Sequence, residues 1–138
     1  MTKGVSGVRE IKFRGKCPLL GNEWVYGGVL ISPDGAFILR IENTSEEMVK
    51  GESCPVDPAT VGQYTGLHDS KGQEIYEGDV VRCTARMDEA TMIVIFENGE
   101  FRMILCDNTQ DREGRGYYAI SCFDKQVVGT IHDERGER

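Results

Sequence analysis

Short apolar runs broken by turn residues constrain this chain more than any other feature. WVYGGVLI (Trp24 to Ile31) is followed by Ser32-Pro33-Asp34-Gly35 and then AFILRI (Ala36 to Ile41). Proline at the second position of a turn presets φ, and glycine follows where a left-handed residue is often needed, so the segment predicts a β-hairpin. MIVIF (Met92 to Phe96) and FRMIL (Phe101 to Leu105) flank Asn98-Gly99. Asn-Gly accepts positive φ at both central positions and suits the twist of paired strands, which predicts a second hairpin. MIVIF is apolar on both faces and reads as an interior strand, or one covered on both sides. Asp79 to Thr84, Tyr117 to Phe123 and Gln126 to Ile131 are further strand candidates, the last with a bulge or close approach at Gly129.

Helix has little room. No segment longer than ten residues keeps a 3.6-residue apolar period. Thr44-x-x-Glu47 resembles a capping box, and Asp57-Pro58 an N-cap with its first helical position, each with space for about one turn. Strands joined by tight Gly-containing turns predict an all-β chain with very little helix. The expected architecture is a small SH3-like barrel over about residues 64–131, with an additional N-terminal β-hairpin and sheet. As domains, residues 1–138 read as one unit, with an N-terminal sheet part over 9–56 and a barrel part over 57–133. Residues 1–8 and 134–138 are expected to fray.

Composition narrows the function classes. The 138 residues carry a formal charge of −7, a poor basis for general duplex binding. The charge is uneven. Residues 1–40 hold six basic and three acidic groups, residues 41–80 two and nine, and residues 81–138 eight and eleven. No apolar run approaches the roughly 20 residues that span a bilayer, and the first sixteen residues lack a secretory signal's apolar core. Cys17, Cys54, Cys83, Cys106 and Cys122 include no C-x-x-C pair. An odd number of thiols without a secretory signal predicts a reducing, cytoplasmic setting. Cys83, Cys106 and Cys122 sit in apolar runs and read as small buried hydrophobes.

Candidate chemistry is sparse. Asp57, Asp69, Glu74, Glu77 and Asp79 crowd the middle of the chain, with Lys71 and His68 nearby. Clustered carboxylates can hold Mg²⁺ or act as acid and base, so a metal-dependent hydrolase is one reading. Asp69-Ser70-Lys71-Gly72 and Glu77-Gly78-Asp79 read equally as turns, the reading preferred here. His68 and His132 have no nucleophile partner in a known local pattern, and no phosphate-binding glycine loop is present. The expectation is no catalytic residue, no cofactor and no metal.

Lys12, Arg14 and Lys16 alternate with Phe13, and Trp24 and Tyr26 follow. This pattern fits a strand with a core Phe and outward charges, or a surface that stacks single-stranded bases. Lys12, Arg14, Trp24, Tyr26, Tyr64 and Tyr76 are the candidate binding residues.

VDPATVGQYTGLHDSKGQEIYEGDVVR (Val56 to Arg82) resembles the YopX family, encoded largely by bacteriophages and prophages. REIKFRGK (Arg9 to Lys16), EWVYGGVL (Glu23 to Leu30), the Val94-x-Phe96-x-x-Gly99-x-Phe101 pattern and VVGTIHD (Val127 to Asp133) extend the resemblance over roughly residues 9–133. Residues 41–55 and 106–116 have no clear counterpart, and the chain ends DERGER where the family often continues I-Y/H-E-N-P-E-L-L. The resemblance implies an all-β fold with an SH3-like barrel and a phage or prophage origin. It brings no catalytic residue or cofactor. Its motif reads as scaffolding, with Gly62, Gly66, Gly72 and Gly78 at turns and Val61, Leu67, Ile75 and Val80 as core. Tyr64 and Tyr76 would pack inside with hydroxyls at the rim. The expected function is a non-enzymatic, protein-binding phage accessory protein in the bacterial cytoplasm. Its partner would be another protein or a second copy. Single-stranded nucleic acid is the alternative ligand, and no membrane is involved.

Overall fold

The computed structural model describes residues 9–43, 49–85, 87–106 and 117–133. The Thr44–Glu47 capping box and both expected frayed ends lie outside them. The described residues are all-β, with eleven strands and two 3-10 turns. Two compact units meet in sequence at Gly66/Leu67, ten residues beyond the 56/57 division read from the sequence.

The first unit is an antiparallel sheet in the order β4-β3-β2-β1-β5. Its strands are β1 (Phe13–Cys17), β2 (Glu23–Ser32), β3 (Gly35–Asn43), β4 (Val49–Val56) and β5 (Gly62–His68). Ser32 pairs with Gly35, so Pro33-Asp34 makes the predicted turn, and the Asp34 N–H donates to Ser32 Oγ at 3.2 Å. The core row follows strand alternation: Cys17, Val25, Ala36, Ile38, Cys54 and Val56 are buried together, with Phe13, Val29 and Val61 against them.

This sheet coils until the end of β4 lies beside β1 again. The Asp57 N–H donates to Lys16 O at 2.9 Å, and the Lys16 N–H donates to Thr60 Oγ1 at 2.9 Å. Asp57 caps the 3-10 turn Pro58–Thr60 as its sequence predicts, accepting the Ala59 N–H at 3.0 Å. Asp57→Ala is expected to lower the urea-unfolding free energy by about 1 kcal/mol, as loss of an N-cap does.

In the second unit, β6 (Glu74–Tyr76) is the return strand after the turn Asp69–Gln73, whose Asp69 N–H donates to Gln73 O at 2.8 Å. The remaining strands are β7 (Asp79–Ala85), β8 (Asp88–Glu97), β9 (Glu100–Leu105), β10 (Tyr117–Ala119) and β11 (Asp124–Thr130), in the order β10-β9-β8-β7-β11. Asn98 and Gly99 have φ of 55° and 81°, the geometry expected of the second hairpin. MIVIF is interior, between β7 and β9. The register of β11 against β7 shifts between Val127 and Gly129, the bulge expected there. The Tyr117–Phe123 candidate is strand only to Ala119, and Phe123 has a φ of 69°.

The sheets are open, whereas the sequence suggests a closed barrel over 64–131. In the second unit β10 and β11 are edges of one sheet, and β10 is only three residues long. The core is Ile75, Val81, Cys83, Met92, Val94 and Met103. The β7 phase differs from the expected one. Asp79, Val81 and Cys83 point inward, so Val80 is half-buried on the other face, and Leu67 is exposed. Of the cysteines, Cys17, Cys54 and Cys83 are buried, Cys122 is half-buried, and Cys106 is exposed at the end of its strand rather than inside. No helix among the described residues is long and apolar enough to cross a membrane.

Candidate functional site

The central carboxylates are engaged with the backbone. Asp69 is buried, and its Oδ1 accepts the N–H groups of Lys71 (2.8 Å) and Gln73 (2.9 Å). Its Oδ2 accepts the Val127 N–H at 2.9 Å, 58 residues away. Burial pushes this carboxyl up, but the backbone groups of Val127, Gln73, Lys71 and Gly72 together hold it below the ordinary 3.8. Asp79 Oδ2 accepts the Tyr76 N–H at 2.8 Å, and Glu74 Oε1 accepts the Tyr76 hydroxyl at 3.0 Å. Gly72 and Gly78, with φ of 88° and 94°, serve turns as expected, whereas Gly62 and Gly66 lie within β5 rather than at turns, Gly66 with a φ of 90°. Among the described residues no group of three His, Cys, Asp or Glu side chains is placed to hold a metal ion.

The basic and aromatic candidates of the first unit do come together. Arg14 pairs with Tyr26 and Lys16 with Trp24, so all four share the face opposite the core row. The Arg14 guanidinium lies 4.1 Å from the Trp24 ring centroid, Lys16 Nζ 5.3 Å from the same ring, and Lys12 Nζ 5.2 Å from the Tyr64 ring. Lys12 also pairs with Glu10 at 3.1 Å. Arg14, Tyr64 and Tyr76 are buried, at 6 %, 4 % and 2 % exposure. A partner therefore meets Lys12, Trp24 and Tyr26 before any of them, and Tyr76 belongs to the second unit.

The same face continues into an apolar row that alternation predicts but that was not singled out. Leu30 pairs with Phe37 and Gly28 with Leu39. Tyr26, Leu30 and Leu39 are 46 %, 60 % and 40 % exposed. The signal lies in WVYGGVLI itself, which is apolar on both faces although one face suffices for the core.

The second unit holds a pocket of about 260 Å³. Cys83, Ala90, Met92 and Leu105 line it with the Tyr118 and Phe123 rings, and Asp88 and Glu89 complete the lining. Tyr118 and Phe123 have centroids 5.4 Å apart and planes at 59°. Burial pushes the Cys83 thiol up, against the pull of Lys125 and with a further push from Cys122. The wall at Cys83 is therefore a neutral thiol, not an activated nucleophile.

The crystal structure of protein EF1440 from Enterococcus faecalis is similar to the chain, with a TM-score of 0.55 and 20 % identity over 94 % of this chain and 98 % of that one. At that identity the likeness speaks for the fold alone. No curated protein matches the chain. The family model described as YopX protein matches residues 23–135, spanning both sheets and the motif that joins them, and the chain belongs to the YopX family.

Proposed function

We propose that this chain is a non-enzymatic accessory protein of a bacteriophage or prophage that acts in the bacterial cytoplasm by binding another protein. The observation that carries this reading is the row of Tyr26, Leu30 and Leu39, exposed on a sheet face whose opposite side already supplies the core. Large apolar side chains grouped on one face mark an interaction surface more often than singly scattered ones do. The central carboxylates bond to backbone N–H groups and a tyrosine hydroxyl, which supports a structural use for them.

The test pairs Leu30→Glu with Leu39→Glu. Both side chains are exposed, so thermal stability is expected to change little. Sedimentation equilibrium and capture from host lysate are compared for wild type and the double variant. A self-associated or partner-bound wild type and a monomeric, partner-free variant are expected. An association that survives both substitutions refutes this face as the interface.

Single-stranded nucleic acid remains the second reading, on the Lys12, Arg14, Lys16 and Trp24 cluster. Arg14 beneath Trp24 argues against it, because a buried guanidinium must leave its aromatic partner to reach phosphate. Binding that weakens steeply between two salt concentrations would establish it.

A further inference from the structure

We propose that the second-unit pocket binds a small organic cation of the substituted-ammonium class, one whose positive charge is clothed in methyl or methylene groups. This inference is independent of the first-unit surface, and its failure would leave that reading untouched.

The pocket's chemistry selects the ligand in three steps. A volume of about 260 Å³ exceeds the roughly 150 Å³ that accommodates benzene in an apolar cavity, so a compact organic group fits. Its wall is apolar where Ala90, Met92 and Leu105 contribute, which disfavours a strongly hydrated bare ammonium. The Tyr118 and Phe123 rings are tilted against each other at 59°, forming an aromatic corner beside that wall. Aromatic faces attract cations, and substituted ammonium groups are the ones that tolerate losing water there.

The carboxylates supply the sign. Asp88, Ala90 and Met92 alternate along β8, and Ala90 and Met92 pair with Cys83 and Val81 of the core row. Alternation therefore puts an exposed aspartate at the open end of an inward-facing row, with exposed Glu89 next to it. Lys125 is the opposing charge. It pairs with Cys83 in register and is buried, but its Nζ donates to Phe123 O at 2.9 Å, which fixes its ammonium on the backbone. Two lining carboxylates outnumber it.

The test uses choline and 3,3-dimethylbutan-1-ol, which have the same shape with nitrogen replaced by carbon. Each is titrated into the full-length protein and followed by amide and methyl NMR shifts. Choline is expected to saturate in the millimolar range, with shifts centred on Ala90, Met92 and Leu105. The alcohol should bind about fivefold more weakly or worse, in line with the size of a cation–π contact. In the Asp88→Asn/Glu89→Gln variant the alcohol should bind as before, which reports an intact pocket, while the preference for choline falls to the part that the Tyr118 and Phe123 rings supply. Equal affinities in wild type, a preference undiminished in the variant, shifts centred elsewhere, or no saturable binding by choline would each overturn the proposal.

Discussion

Asp69→Ala is expected to lower the unfolding free energy by about 4 kcal/mol, a large part of the roughly 5–15 kcal/mol of a typical domain. The substitution removes one side chain but strands three backbone N–H groups, those of Lys71, Gln73 and Val127. Each bond is charge-assisted, and the Val127 donor in half-buried β11 carries a desolvation cost when left without an acceptor, while Lys71 and Gln73 lie in an exposed turn. The damage is also topological. The Lys71 and Gln73 bonds shape the turn before β6, whereas the Val127 bond fastens that turn to β11. Ser70 N–H donates to Lys125 O at 2.9 Å alongside it and would lose its support. Asp69→Asn should fall between wild type and Asp69→Ala, because one acceptor oxygen survives. Urea unfolding monitored by circular dichroism checks the order.

The same carboxylate gives a pH signature. Its folded-state value lies below the ordinary 3.8, so the folded state favours the ionised form more than the unfolded state does. The stabilisation is therefore fully present above the unfolded value and is lost as pH falls through the folded one. The stability gap between wild type and Asp69→Ala should be flat near neutrality and narrow below about pH 4. A gap that stays constant into strong acid would mean that the carboxylate is not the acceptor of these bonds.

What the sequence made legible is what local chemistry controls. Pro33-Asp34-Gly35 and Asn98-Gly99 specify their turns within four residues, and both hairpins form in the expected register. Asp57-Pro58 likewise carries its own cap. Pairings over long separations were harder to read. The β4 run VKGESCPV has neither steady alternation nor a β-branched stretch, and its strand character comes from eight pairings to β3. Val80 and Val81 are adjacent valines, so composition cannot say which faces inward. The structure chooses Val81, and with it Asp79, whose carboxylate then needs the Tyr76 N–H. The candidate site divides the same way. Alternation of Lys12, Arg14 and Lys16 with Phe13 placed the cations on one face. That Arg14 is buried under Trp24 depends on the β1–β2 register, which the sequence does not state. The pocket carboxylates went unnoticed because Asp88 looks like loop acid until β8 is known to begin there.

Gly27→Ala is expected to destabilise the first unit by more than about 3 kcal/mol and to abolish whatever binding the Leu30 and Leu39 face supports. β2 changes partners at this residue: Gly27 pairs with Phe13 of β1, and Gly28 pairs with Leu39 of β3. The strand turns a corner there, with a φ of +155° at Gly27, and the corner brings the β3 backbone in close. A Cβ on Gly27 would stand 2.1 Å from the Leu39 carbonyl oxygen and 3.0 Å from its carbon. No rotamer relieves this, because the obstacle is main chain. β3 would have to withdraw at Leu39, breaking the ladder on which Ala36 and Ile38 reach the core and tilting Leu39 itself out of the apolar row. Gly28→Ala is the matched control. A Cβ there meets nothing within 4 Å, so the neighbouring substitution should cost little and leave binding intact. Thermal melts of the two variants beside the partner-binding assay separate the explanations. If both alanines are equally harmful, general loss of backbone freedom in the Gly27-Gly28 pair is at fault. If only Gly27→Ala fails, the close approach of Leu39 is what shapes this face.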